Sequence, residues 1–242
     1  MLKKKRVGLI QTRGLGDIVI ALPIAEYLYR QGSEVFWPID SRFLTHFVCA
    51  FPHINFISID INLVQEHSLE YFYSGPHKIL KELNCSEIHT LYSHLGPIDL
   101  GNNRYKNSLT FDSYKYATAK VPFEEKWNFN PIRNFERENH LLEMLDLKST
   151  DNYVVMHSEG SNFKADFEML LKTNDMRVIE IRSLTDCIFD WLTVIEKSKA
   201  GMFVDSVYAN IVEQLNYRLP KSLFFRSQTQ FTPVFKNNWN FY

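Results

Sequence analysis

The sequence predicts an α/β protein of two successive halves, each a parallel sheet covered by helices. Three observations predict this class. Apolar strand-like runs alternate with segments of helical period along most of the chain, as in parallel sheets with crossover helices. A glycine-containing turn, Arg13-Gly14-Leu15-Gly16, follows the first apolar run directly. A second alternating series starts at Asn152, after the short polar stretch Lys148 to Asn152. That stretch sets the expected boundary between residues 1–150 and 151–242. Both halves are therefore expected to be Rossmann-like.

Each element has its own reason. Arg6 to Gln11 is apolar and reads as the first strand. Asp17 follows the glycine turn, where a helix N-cap is expected. Ile18, Ala21, Leu22, Ala25 and Leu28 then recur at helical spacing. Pro23 predicts a kink within that helix, and Gly32 predicts its end. Glu34 to Ile39 reads as a strand, Ser41 to Phe51 as a helix ended by Pro52, and Asn55 to Ile59 as a third strand. Residues 61–76 match neither period, His77 to Leu83 reads as helix, and Glu87 to Tyr92 as a fourth strand. Residues 95–135 predict a long loop with helical pieces near Ser113 to Ala119. Loops of that length are often functional. Arg137 to Leu147 reads as helix. In the second half the strands are Tyr153 to Met156, Arg177 to Ile181, Ala200 to Val204 and Ser222 to Phe225. The helices are Asp166 to Lys172, one capped by Asp186, and Tyr208 to Leu215. The aromatic tail from Phe231 to Tyr242 is expected to pack back on the body.

Composition narrows the function classes. The 242 residues suit one large domain or two small ones, at roughly 100–200 residues each. Hydrophobic residues make up 45% and aromatic residues 14%, enough for a core and too many for a disordered chain. The net charge of −1 argues against a nucleic-acid partner. The basic run Lys3-Lys4-Lys5-Arg6 reads as a solubilising flank of the first strand. Cys49, Cys85 and Cys187 show no zinc spacing, so free thiols in a reducing, cytoplasmic setting are expected, with no metal and no cofactor. The apolar run Val7 to Tyr29 carries Arg13, Asp17 and Glu26, which a membrane span tolerates badly. No transmembrane segment or cleavable leader is expected.

Three strand ends could carry chemistry, because ligands of open parallel sheets bind beyond the carboxyl ends of the strands. At the first, Gly14 and Gly16 let the backbone approach a ligand. Asp17 can there cap the helix, act as a base, or do both. The turn is neither a P-loop nor a full dinucleotide fingerprint. At the second, His157-Ser158-Glu159-Gly160-Ser161, with Lys164 behind, offers the small polar groups and the cation of a diphosphate site. The same residues can equally be a polar loop after a strand-end histidine. At the third, Asp205 and Ser206 either cap the next helix or face a ligand.

A resemblance ties the three together. Arg13-Gly14-Leu15-Gly16-Asp17-Ile18-Val19-Ile20-Ala21-Leu22-Pro23-Ile24 resembles the N-terminal motif of the heptosyltransferase-like glycosyltransferases, the family 9 type. That motif is a Gly-Asp turn followed by an apolar helix holding a proline. Ala200 to Ile211 resembles the family's C-terminal motif, an apolar strand ending in Asp-Ser/Thr-Gly with a His beyond. The resemblance implies a two-domain GT-B fold, shortened here, with the two parallel sheets facing a cleft. It implies metal-independent, inverting transfer of a sugar from a nucleotide-sugar donor to a glycan or other hydroxyl acceptor. The first half would face the acceptor and the second the donor. Asp17 would be the base. Lys164 would hold donor phosphate, Glu180 the ribose, and Asp205 and Ser206 the donor-binding turn. Gly14, Gly16, Ser158 and Gly160 would line the donor's path. Tyr105, Tyr114, Tyr116 and Trp127 could stack on acceptor sugars or simply cover the sheet edge. Val207 and Asn210 stand where the family has Gly and His. A non-catalytic relic that binds a nucleotide, a glycan or a protein is therefore the alternative.

Overall fold

The computed structural model describes residues 4–60, 68–92, 110, 112–148, 150–160, 163–165, 167, 176–225 and 232–242. Two compact units divide the chain, Met1–Phe129 and Asn130–Tyr242. The polar stretch Lys148 to Asn152 thus lies inside the second unit. Apart from Phe167, the predicted helix Asp166 to Lys172 lies outside the described residues, as do Tyr105 and Ser161.

The first unit holds a four-stranded parallel sheet in the order β3-β2-β1-β4. Its strands are β1 (Arg6–Ile10), β2 (Glu34–Asp40), β3 (Asn55–Ile59) and β4 (Glu87–Thr90). Val7, Leu9 and Ile10 of β1 are fully buried, as suits an inner strand covered on both faces. Helix α1 (Leu15–Arg30) runs as one element through Pro23. Its N-cap is Gly14, so Asp17 is its third residue and not the expected cap. The positive φ of +83° at Gly14 turns the chain sharply enough to start the helix three residues earlier. The predicted helix Ser41 to Phe51 is a 3₁₀ turn, Ser41–Phe43, followed by α2 (Leu44–Val48). Part of the unassigned stretch is a π-type turn, Glu70–Ser74, leading into α3 (Gly75–Glu82). The predicted helical piece is α4 (Ser113–Ala119), with a 3₁₀ turn at Phe123–Trp127.

The second unit opens with α5 (Phe135–Met144). Glu138 of this helix is buried and accepts from Arg133 Nε at 3.0 Å and Thr193 N at 3.0 Å. Arg137 adds an ion pair to buried Asp190 at 2.7 Å. The sheet is five-stranded and parallel, in the order β11-β10-β9-β5-β8. Its strands are β5 (Tyr153–His157), β8 (Arg177–Glu180), β9 (Ala200–Val204), β10 (Lys221–Phe224) and β11 (Trp239–Phe241). A hairpin of β6 (Glu159–Gly160) and β7 (Phe163–Lys164) follows β5. The helix expected to be capped by Asp186 starts instead as a 3₁₀ turn, Ile188–Trp191, with Cys187 at its N-cap. It continues as α6 (Leu192–Lys197), and α7 (Val207–Gln214) follows β9. Asp186 is drawn away to Arg137. The aromatic tail packs as expected: buried Glu213 accepts from Lys236 N at 3.0 Å and Trp239 Nε1 at 2.7 Å. None of the described helices is long and apolar enough to cross a membrane.

One buried ion pair anchors α4. Asp112 accepts from Ser113 N at the helix start, and Lys126 Nζ lies 2.5 Å from its Oδ2, with both side chains fully buried. Removing one partner strands the other charge. Lys126→Met should therefore cost about 3–5 kcal/mol in urea unfolding. Adding Asp112→Leu should recover part of that loss. A single-variant cost near zero would refute this account of the α4 anchor.

Candidate active site

The chemistry-bearing residues sit at the carboxyl ends of the strands, where the chain leaves each sheet for a helix. In the first unit the polar pair Gln11-Thr12 directly follows β1 and is buried. Its backbone is tied down by the hydroxyl of Tyr92, just beyond β4. That oxygen accepts from Thr12 N at 2.9 Å and Arg13 N at 3.2 Å, and lies 2.8 Å from Thr12 Oγ1. Burial pushes the Tyr92 phenol up to about 12, so it keeps its proton. Gln11 Nε2 donates to Arg13 O at 2.7 Å, and Trp37 Nε1 donates to Gln11 O at 3.1 Å. The turn that carries Gly14 is thus fixed from both sides.

Gly14 is required by its backbone conformation. Its φ is in the left-handed region, and a Cβ there would lie 2.5 Å from Asp17 Oδ2. Gly16 is the second residue of α1 and half-buried. Asp17 is partly exposed, with 27% of its side chain open to solvent, and its Oδ1 lies 2.9 Å from Lys115 Nζ. Lys115 comes from α4 and has 2% of its side chain exposed. It also donates to Gln11 Oε1 at 2.8 Å and Leu91 O at 3.2 Å. Three acceptors meet the three hydrogens of the ammonium. Sequence reasoning did not select Lys115, Tyr92 or Gln11. The available signal was the polar pair Gln11-Thr12 ending an otherwise apolar strand.

Tyr114 and Tyr116 are spent inside the first unit. Tyr114 donates to Leu91 O, Tyr116 donates to Ile20 O at 2.8 Å, and both are buried. These two rings serve the core, so the sugar-stacking alternative does not hold for them. Trp127 is half-buried and meets Phe123 edge to face.

In the second unit, the ends of β5, β8 and β9 bring several of the selected residues together. Ser158 Oγ donates to Glu180 Oε1 at 3.0 Å. Arg182 Nε donates to Glu180 Oε2 at 2.7 Å. This hydrogen bond to Arg182 holds the Glu180 carboxyl below the usual carboxylate range. Lys164, on the hairpin, pairs with Glu159 at 2.6 Å and lies in the field of Glu180 and Arg182. The pairing with Glu159 raises the Lys164 ammonium above its ordinary value. A Cβ on Gly160 would lie 3.7 Å from Phe163 O and 3.9 Å from Asp205 O, so sterics do not demand glycine here. The placement does set the hairpin beside the end of β9.

Asp205 is buried, and its N–H donates to Phe224 O at 3.0 Å. Ser206 is the N-cap of α7 but makes no capping bond with its side chain. Its hydroxyl lies 2.8 Å from His157 Nδ1 instead, and the His157 ring meets Tyr208 edge to face at 4.8 Å. Burial pushes the His157 imidazole down to about 4, so it is neutral at neutral pH. Asn210, one turn into α7, is buried, and its Nδ2 donates to Ser206 O at 2.8 Å.

No family model matches the sequence, and no curated protein matches it. Solved structures do match the fold. The glycosyl transferase family 9 protein from Veillonella parvula DSM 2008 is 12% identical, with a TM-score of 0.64 over 100% of this chain and 88% of that one. The E. coli heptosyltransferase WaaC with ADP is 12% identical, with a TM-score of 0.57 over 98% and 92%. The E. coli ADP-heptose LPS heptosyltransferase II is 9% identical, with a TM-score of 0.52 over 98% and 90%. The chain therefore has the α/β fold of the GT-B-like glycosyltransferases.

The His157 geometry has a measurable consequence. The unfolded histidine titrates near 6.5 and the folded one near 4, so the unfolded chain binds the extra proton between them. This contribution to stability is complete above pH 6.5 and is lost as pH falls towards 4. Urea unfolding of wild type and His157→Gln over that window should show a shallower acid-side slope in the variant. Equal slopes would mean that His157 is not buried in its neutral form.

Proposed function

We propose that this chain is a glycosyltransferase that moves a sugar from a nucleotide-activated donor to a hydroxyl of a glycan or related acceptor. The observation that carries this reading is the Asp17 carboxylate. It stands at the carboxyl end of β1, with one oxygen on a buried ammonium and the other over a glycine turn, in a fold shared with glycosyltransferases of family 9. The E. coli heptosyltransferase WaaC in the comparison carries ADP, which supports a nucleotide-linked donor.

In this reading Asp17 Oδ2 takes the proton of the acceptor hydroxyl. The freed oxygen forms a bond to the anomeric carbon as the bond from that carbon to the donor phosphate breaks. The nucleoside diphosphate leaves with the electron pair. A base so placed needs to lie within about 2.6–3.2 Å of the hydroxyl. The donor is assigned to the second unit. Ser158, Gly160 and Ser206, with the N–H groups that open α7, would hold the diphosphate. Lys164 would turn from Glu159 to the phosphate. Glu180, fixed by Ser158 and Arg182, would accept from the ribose, and Asp205 would hold the turn that presents Ser206. No protein-bound metal enters this scheme.

The binding-only relic also has an observation on its side. Asn210, where the family has His, is buried and spends its amide on Ser206 O. One variant separates the readings. Asp17→Asn keeps an oxygen for Lys115 but cannot act as a carboxylate base. It should stay folded and bind nucleoside diphosphate within about twofold of wild type, while transfer falls roughly 10²–10⁴-fold. Coupled assays with a panel of nucleotide sugars and glycan acceptors read this out. Equal transfer by the variant would remove Asp17 from the chemistry. Nucleotide binding by a wild type that never transfers would establish the relic.

A further inference from the structure

We propose that Lys115 is the positioning residue for Asp17, an ammonium buried to fix one carboxylate oxygen so that the other stays over the Gly14 turn. The proposal rests on the reading of Asp17 as base. Burying an ammonium is unfavourable unless all its hydrogens are met. Lys115 meets them with Asp17 Oδ1, Gln11 Oε1 and Leu91 O, at 2.9, 2.8 and 3.2 Å. Two of these partners are neutral, and both belong to the framework of the first sheet. The carboxylate is therefore the movable member of the set, and the lysine is the fixed one.

The supports of the partners point the same way. Gln11 is held through its own amide on Arg13 O, and its carbonyl takes the Trp37 indole. Leu91 O also receives the Tyr114 hydroxyl, from the residue beside Lys115 on α4. Lys115 thus projects from the first turn of a helix whose N-cap is held by the buried Asp112–Lys126 pair. Asp17, by contrast, lies in the first turn of α1 and is more than a quarter exposed. A side chain so placed has several rotamers open to it. The ammonium selects the one that sets Oδ2 over Gly14, where any Cβ would collide with it.

A purely structural lysine would tether α4 to the end of β1 and do nothing more. The two roles make different forecasts for turnover by protein that remains folded. A reacting group displaced by about 1 Å can lose on the order of 10²-fold in rate. We expect Lys115→Met, close in shape but neutral, to lower kcat about 10²-fold while the KM for donor stays within about threefold. Lys115→Arg should keep a larger share of kcat. Lys115→Ala should recover turnover in a saturable way with ethylammonium or propylammonium and not with propanol. Circular dichroism and melting curves first establish that each variant is folded. Should Lys115→Met not fold, Lys115→Ala refolded with propylammonium takes its place.

The failures are distinguishable. Wild-type transfer combined with kcat within threefold in folded Lys115→Met, or rescue by propanol as good as by the amine, overturns the positioning role alone. Absence of transfer by the wild type with every donor overturns the glycosyl-transfer reading. Hydrogen exchange then judges the clamp: faster exchange from Gly14 to Ile18 in Lys115→Ala, slowed again by propylammonium, supports it. Exchange unchanged by the substitution overturns it.

Discussion

An ammonium placed inside an α/β core must find an acceptor for each of its hydrogens, and that requirement organises the first unit. Lys115 draws in the end of β1 through Gln11, the end of β4 through Leu91 O, and the first turn of α1 through Asp17. The Gln11–Asp17 turn and the distant Leu91 thus meet at one nitrogen. The Tyr92 hydroxyl locks the backbone of the same turn from the other side. The result is a carboxylate whose position is set before any ligand arrives. Preorganisation of that kind is what distinguishes a reactive carboxylate from a solvated one.

The strand ends of the second unit follow a different principle. Their polar and charged groups are held by one another: Lys164 by Glu159, Arg182 by Glu180, and the Ser206 hydroxyl by neutral His157. The lysine pair is well exposed, and exposed pairs contribute little to stability. In the proposed reading, an anion at these strand ends would compete with Glu159 for Lys164 at small cost. Glu180 is less mobile, because Ser158 holds its other oxygen. One unit therefore offers a rigid acid and the other an adjustable set of donors.

Much of the layout was legible in the sequence because strand and helix periods are local. The bounds of β3 and β9 agree with the apolar runs that predict them, and α4 falls on the helical piece expected within the long loop. The packing of the tail follows from its aromatic content, realised by Trp239 on Glu213. The misjudged helix starts have local causes that composition does not reveal. Gly14 begins α1 through its positive φ, so Asp17 falls inside the helix. Asp186 is drawn to Arg137, which arrives from a distant helix. The candidate site was half legible. Asp17, Ser158, Glu180 and Ser206 all stand at strand ends, as the apolar runs place them. Lys115 was not legible, because its partners lie on other elements and only the folded sheet brings them together. Arg182 was missed because an arginine just past a strand reads as ordinary surface.

If the second unit takes the nucleotide of an activated sugar, amide chemical shifts of the full chain will move on titration with ADP, UDP or GDP. Saturable binding of at least one of these nucleotides is expected, with shifts concentrated at Ser158 to Lys164, Glu180 to Arg182 and Asp205 to Ala209. Shifts absent with all three nucleotides, or confined to the first unit, would rule out a nucleotide site in the second unit.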